Sequence, residues 1–315
     1  MESRERLGGA RIGVDLGGTK TEVALLDGSG AFVARRREPT PKGDYEATVA
    51  QVVAMVAAVE RESGLSGTPV GAGTPGAISS ASGVMKNSNS LCLNDRNLLA
   101  DLEAGLGPRV RVANDADCFA LSEAVDGAGA GAGIVFGVIL GTGVGGGVVV
   151  NGRLLDGPNA IAGEWGHNPL PWPRPEWDEV PGPKGWDGRY GSIETWCCGP
   201  GMVLDHARRG GGDAASAQAI CDAAEAGDQQ AMATLARWED RLARALSTII
   251  NVIDPHVIVL GGGLSKVDRV YRHVPALWDE WVFSDRVDTR LVPARYGDSS
   301  GVRGAAWLWP PDRTP

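Results

Sequence analysis

The chain carries one short design twice, and that repeat restricts the fold more than any other feature. Residues 11–26 read as a β-branched strand (Ile12, Val14), a turn at Gly17-Gly18-Thr19, and a second strand through Val23, Leu25 and Leu26. That strand ends at Asp27-Gly28, a hairpin signal. Residues 134–155 repeat the plan: a strand over 134–140, the turn Gly141-Thr142-Gly143, a strand over 147–150, the hairpin turn Asn151-Gly152 and a third strand. Laying Asn151-Gly152 on Asp27-Gly28 without gaps puts Gly141 on Gly17, the mark of an internal duplication. After the first unit, Val49, Val52, Val53, Val56 and Val59 keep helical spacing, and residues 69–73 form an apolar strand. Residues 228–253 are again helical (Met232, Leu235, Leu242, Leu246, Ile249, Ile250) and stop at Asp254-Pro255, where proline cannot continue a helix. A strand over 257–260 then runs into Gly261-Gly262-Gly263. The expectation is two α/β halves facing each other across a cleft, with a nucleotide between the two glycine turns.

A length of 315 residues allows two domains, and 43% hydrophobic content with 22% charge is ordinary for a globular chain. The net charge of -9, with no Lys and Arg run longer than Arg35-Arg36-Arg37, argues against a grip on nucleic acid. An acidic protein that handles a nucleotide must screen phosphates locally, with backbone N–H groups and a metal ion. Glu2, Arg4, Glu5 and Arg6 before Ile12 leave no apolar stretch of a secretory signal, so a cytoplasmic location is expected. The five cysteines (Cys92, Cys118, Cys197, Cys198, Cys221) are irregularly spaced and suit a reducing compartment. The uncharged stretch 127–152 is too rich in glycine, and too clearly broken by Asn151-Gly152, to read as a membrane span.

Two G-x-G-x-x-G matches, at Gly71–Gly76 and Gly141–Gly146, raise a dinucleotide enzyme and then fail it: the first lacks a suitably placed acidic residue, and the second leads into a hairpin instead of a helix. Gly18-Thr19-Lys20-Thr21 ends like a P-loop, but Thr19 stands where glycine must precede the lysine. Asp15-Leu16-Gly17-Gly18-Thr19-Lys20 could be a plain tight turn. Its partner turn at Gly141-Thr142-Gly143, and an aspartate in a core strand, favour a site for phosphate and metal-bound water. The strand over 110–113 delivers Asn114-Asp115-Ala116-Asp117 to the start of a helix. Either residue could merely cap that helix; a carboxylate there could equally take the proton of a nucleophilic hydroxyl. Glu164 and His167, amid glycine and proline, are placed to point into one site, and such partners suit vicinal hydroxyls that both donate and accept.

These motifs, with Gly163-Glu164-Trp165-Gly166-His167 and Gly261-Gly262-Gly263, resemble in order the signatures of the ROK (repressor, open reading frame, kinase) sugar kinases over nearly the whole chain. The resemblance implies an actin/hexokinase-like (ribonuclease H-like) duplicated α/β fold, ATP with magnesium, and phosphoryl transfer to a hexose 6-hydroxyl. By resemblance Asp115 is the catalytic base. Asn89, Asn114, Glu164, His167 and Glu194 hold sugar hydroxyls. Asp15 holds magnesium through water, and Gly17, Gly18, Thr19, Lys20, Gly141, Thr142, Gly143, Gly261 and Gly262 contact ATP. The segments 163–172 and 297–310 look most like the bacterial fructokinase branch, so fructose is the expected sugar, with N-acetylglucosamine, mannose or glucose as alternatives. A small domain over 1–118, a large one over 119–300 and a helix over about 301–315 returning to the first are expected, in a homodimer.

The chain departs from the family at its structural zinc. The His of the family's motif is present as His167, but the stretch 185–192 (Gly-Trp-Asp-Gly-Arg-Tyr-Gly-Ser) replaces a run of three cysteines. Zinc needs about four soft or borderline ligands, so no structural zinc is expected, and the adjacent Cys197-Cys198 is a poor substitute. The stretch 169–191 must then be held by Trp172, Trp177 and Trp186, form an interface, or move. Arg237, Glu239, Asp240, Arg241 and Arg244 read as a solvated helix face, and Trp307 and Trp309 as anchors of the last helix. The class-level rival is a non-catalytic sugar-binding regulator. The family's repressors begin with a helix-turn-helix, for which there is no room before the first strand.

Overall fold

The computed structural model describes residues 8–310. Glu2, Arg4, Glu5 and Arg6, and residues 311–315 of the expected last helix, lie outside the described residues. The chain divides into two compact units. The first takes the described residues up to Ala130, Gly152–Ala162 and those from Asp298 onward; the second takes Gly131–Asn151 and Gly163–Gly297.

The first unit is built on a five-stranded sheet of β1 (Arg11–Leu16), β2 (Lys20–Leu26), β3 (Phe32–Pro39), β4 (Val70–Thr74) and β7 (Val110–Asn114), in the order β3-β2-β1-β4-β7. A small hairpin, β5 (Ala77–Ile78) and β6 (Met85–Lys86), stands apart. β1 to β3 are antiparallel neighbours, whereas β4 and β7 continue parallel to β1. The period of two assigns the faces. Ile12, Val14, Val23 and Leu25 join the core beneath α1 (Tyr45–Ser63) and α2 (Leu98–Leu106). Ala24 and Leu26 meet Val302 and Ala306 of the C-terminal helix Ser300–Trp307 on the other face, where α3 (Asp115–Val125) also packs. That helix lies so close that a Cβ at Gly13 would stand 1.9 Å from Val302 O, and one at Gly71 1.8 Å from Ala305 O. The first G-x-G-x-x-G match therefore marks backbone-to-backbone packing. Trp309 Nε1 donates to Val70 O at 2.9 Å, and Arg111 lies over its ring. α3 lies wholly within the first unit, so the division expected after residue 118 would have cut a helix.

In the second unit β8 (Ile134–Leu140) and β9 (Val144–Val150) form the hairpin, and β10 (Val257–Gly261) and β11 (Arg290–Pro293) continue parallel to β8, in the order β9-β8-β10-β11. The gapless alignment that lays Gly141 on Gly17 carries β2 onto β9 residue for residue. The third strand expected after Asn151-Gly152 shrinks to Arg153–Leu154. Helices α4 (Ile193–Cys197), α5 (Gly199–Arg208), α6 (Ala217–Glu225), α7 (Gln229–Ile253) and α8 (Val270–Ala276) complete the unit, with Asp228 capping α7.

The polar face of α7 is not solvated, contrary to the sequence expectation. Arg241 and Arg244 are fully buried, as are Glu239 and Asp240 nearly so. Arg241 Nε donates to Glu179 at 2.7 Å and its Nη2 to Asp205 at 2.9 Å. Arg244 reaches Glu179 at 2.9 Å, Asp240 at 2.7 Å, and the carbonyls of Pro171 and Trp172 at 2.8 Å each. Glu179 also accepts the backbone N–H of Arg174 at 2.6 Å. The stretch 169–191 lies across α7, and its carboxylate and carbonyls supply the partners that water was expected to supply. Tryptophan packing is the lesser device: Trp172 tilts on Trp281 at 5.0 Å, but both Trp172 and Trp186 are exposed.

Candidate functional site

The first unit gathers Asp15, the first glycine turn, Asn89, Asn114 and Asp115. Asp15 sits near the end of β1, opposite Glu22 on β2 and Gly73 on β4. Its carboxylate rests against the first turn of the C-terminal helix, where a Cβ on Gly301 would stand 3.0 Å from Oδ2. Burial, then the charges of Asp115 and Glu22, push its pKa up to about 6, against the pull of Lys20 and Arg37. Glu22 is itself buried between Arg35 and Arg37. A buried carboxylate with negative neighbours suits the water shell of a divalent cation, which needs no cage of direct protein ligands, so Asp15 fits the magnesium expected there.

The turn is closed by the Gly17 N–H on Lys20 O at 3.0 Å, and braced by Thr40, whose hydroxyl donates to Gly17 O at 2.7 Å and whose N–H donates to Thr19 O at 3.1 Å. Gly18, Thr19 and Lys20 stay exposed. A cavity of about 570 Å³ opens beside them, lined by Gly17, Gly18, Thr19, Thr40, Lys42 and Asn89 among others. Asn89 is exposed; its loop is held by Asn94, whose amide bonds both the N–H and the carbonyl of Ser88 at 2.9 Å. Asn114 caps α3: its side chain accepts from Ala116 N at 2.7 Å and donates to Gly76 O at 3.0 Å. Asp115, the first residue of α3, is exposed, and its Oδ1 accepts the Ala116 N–H at 2.8 Å. Capping thus falls to Asn114, and Asp115 presents a carboxylate at a helix N-terminus. Glu22, Thr40 and Gly301 were not foreseen; Glu22 carried a signal, a charge midway along an otherwise apolar strand.

The second unit gathers the remaining residues. Gly141 N–H donates to Gly143 O at 3.0 Å, and Gly141 O accepts the Gly199 N–H at 2.8 Å, which ties the turn to the start of α5. Glu194, on α4, accepts the Val144 N–H at 3.0 Å through Oε2 and the Trp186 indole N–H at 3.1 Å through Oε1. His167 has Glu164 at 3.8 Å from Nε2 and Asp187 at 3.6 Å from Nδ1, and its ring meets that of Trp186 edge-on at 5.6 Å. Gly261 ends β10 buried, while Gly262, at φ +81°, passes so close to Leu140 that a Cβ would stand 2.4 Å from its carbonyl oxygen. Only glycine fits there. Thr142 and Gly262 are exposed.

Among the described residues no group of three or more His, Cys, Asp or Glu side chains is arranged to hold a metal ion. His167 faces two carboxylates, at distances too long for shared ligation. Cys197 and Cys198 are buried, their thiols pushed up by burial, to about 12 for Cys197. Cys198 Sγ accepts the Gly201 N–H at 3.3 Å as an N-cap. These residues do not fit the family's structural zinc.

A family model described as ROK family matches residues 11–312. The chain belongs to the ROK family. It is 37% identical over 300 residues to an N-acetyl-D-glucosamine kinase of Pectobacterium atrosepticum, covering 94% of this chain and 97% of that one. Among solved structures, a ROK hexokinase from Thermus thermophilus matches with a TM-score of 0.83 at 29% identity, over 95% and 97% of the two chains. A ROK glucokinase from Streptomyces griseus, in complex with glucose and AMPPNP, matches with a TM-score of 0.73 at 26% identity, over 95% and 98%. The fold is the actin/hexokinase-like fold of these kinases. The fructokinase branch suggested by segments 163–172 and 297–310 gives way to N-acetylglucosamine kinase among the curated relatives. Those segments are rich in glycine and tryptophan, and such residues say little about the shape of one acetamido pocket. Among the described residues no helix is long and apolar enough to cross a membrane.

Proposed function

We propose that this protein is an ATP-dependent sugar kinase that transfers the γ-phosphoryl group to the 6-hydroxyl of N-acetylglucosamine. The observation that carries the reading is the 37% identity, over 94% of the chain, with an N-acetyl-D-glucosamine kinase, in a chain that keeps the Asp15 and Asp115 carboxylates. Asp115 accepts the proton of the sugar 6-hydroxyl as its oxygen forms a bond to the γ-phosphorus and the bond to the ADP oxygen breaks. The exposed carboxylate at the start of α3 supports that role, because proton transfer needs reach before it needs a shifted pKa. Magnesium, when bound, neutralises charge on the phosphate oxygens. Asp15 orients its water, and the charge crowding around Asp15 supplies the reason it would attract a cation. Gly17, Gly18, Thr19, Lys20, Gly141, Thr142, Gly143, Gly261 and Gly262 contact ATP, Lys20 through its ammonium, while the Gly17 and Gly141 N–H groups close the two turns themselves. Asn89, Asn114, Glu164, His167 and Glu194 hold sugar hydroxyls and exclude water. The protein is proposed to act in the cytoplasm as a homodimer.

The test of the base is Asp115→Asn. Turnover should drop by ~10²–10⁴, while sugar affinity measured by calorimetry stays within about three-fold, since the variant keeps the shape of the side chain and its hydrogen bond to Ala116. Turnover at the wild-type rate would return Asp115 to a structural role.

A further inference from the structure

Trp186 is 71% exposed, yet it is fixed on two sides. Its indole N–H donates to Glu194 Oε1 at 3.1 Å, and its ring stands edge-on to His167 at 5.6 Å and 83°. The turn that carries it is closed by the Gly185 N–H on Arg189 O at 2.7 Å and by the Gly188 N–H on Gly185 O at 3.1 Å. The next residue braces it further: Asp187 Oδ1 accepts the Arg189 N–H at 3.0 Å, while Oδ2 stands 3.6 Å from His167 Nδ1. An indole held this firmly with its face in water forfeits much of the burial that usually recovers the cost of ordering a tryptophan. Oriented and exposed aromatic area beside convergent polar groups is the composition of a ligand pocket.

We infer that Trp186 is a substrate-contact residue, whose indole face covers the apolar C–H face of the hexose while its N–H fixes the carboxylate of Glu194. The inference rests on the reading that Glu164, His167 and Glu194 hold the sugar. A pyranose presents hydroxyls at its rim and polarised C–H groups on its face; the rim suits His167 and the carboxylates, and the face suits the negative π-surface of an indole. The residue stands in the stretch that replaces the family's cysteines. Where a metal would have fixed His167, Asp187 and the Trp186 ring flank it, and the same turn offers an aromatic wall to the ligand.

The test is steady-state kinetics and sugar-binding calorimetry on wild type, Trp186→Phe and Trp186→Ala, with thermal unfolding of each. Trp186→Ala should raise the KM for N-acetylglucosamine about ten-fold or more, leave the KM for ATP within about two-fold, and leave the melting temperature unchanged because the side chain is exposed. Trp186→Phe keeps a stacking face but loses the bond to Glu194, and should fall between. Sugar binding without ATP should also shift the tryptophan emission of the wild type, and Trp186→Phe should lose that shift. Wild-type protein that binds sugar with Trp186→Ala equally tight overturns this inference alone. Wild-type protein that binds no hexose overturns both this inference and the reading of the sugar site.

Discussion

Glu179→Gln should destabilise the second unit heavily, because the carboxylate it removes is the centre of a dry ion network. Glu179 is 3% exposed, and Arg241 and Arg244, its two charged partners, are wholly buried. Asp205 and Asp240 remain to face them, and each also serves a second arginine, Arg237 or Arg174. Four guanidinium groups share three carboxylates, so the network already carries one excess positive charge, and the substitution doubles it. Removing one partner of a buried ion pair costs about 3–5 kcal/mol, since the charge left behind has no water. At ~2–4 °C of melting temperature per kcal/mol for a domain of 150–250 residues, the variant should melt about 6–20 °C lower. Differential scanning calorimetry of both proteins, with and without EDTA, reads the effect. EDTA should leave both melting curves in place, because the network rather than a metal anchors the stretch 169–191. A Glu179→Gln protein melting within about 3 °C of wild type, or a wild type that loses stability to the chelator, would refute this account of the loop.

Asp15 should show an exchange of stability for function. Its pKa is raised to about 6, so between the ordinary carboxylate value and 6 the folded state holds a proton that the unfolded state has lost, and this group's contribution to stability declines as pH rises. At pH 7.5 Asp15→Asn should therefore be more stable in urea unfolding without magnesium, by up to about 3 kcal/mol, while turnover falls at least ~10²-fold; a less stable variant would show that the carboxylate is satisfied where it lies. Gly304→Ala should leave little folded protein or cost about 3 kcal/mol or more, since its Cβ would stand 1.6 Å from Cys118 O; a variant melting with the wild type would mean that the C-terminal helix packs elsewhere.

Features set by local periodicity were legible in the sequence. The strands β1 and β2, the glycine turns and the stop of α7 before Asp254-Pro255 each depend on residues within a few positions, and the structure places them with little change. The charges of α7 were misread for the converse reason. Arg241 finds Glu179 and Asp205 at separations of 62 and 36 residues, and no pattern along the helix records partners so distant. The backbone of the candidate site was readable where a motif fixed it, as at the turn after Asp15-Leu16-Gly17-Gly18, and less so where a side chain is held through its neighbours. Glu22 and Thr40 matter through contacts with Arg37 and Gly17 that only the assembled sheet creates. For Trp186 the sequence leaves packing, an interface or a mobile segment open; its exposure, which the sequence does not record, is what the inference of a ligand contact rests on.

The central claim is most directly tested by a coupled ADP-release assay with magnesium and ATP across N-acetylglucosamine, fructose, glucose and mannose. The account predicts turnover on all or some of these hexoses, with kcat/KM highest for N-acetylglucosamine. Highest kcat/KM on fructose would restore the fructokinase reading, and no ADP release with any sugar would contradict the kinase assignment itself.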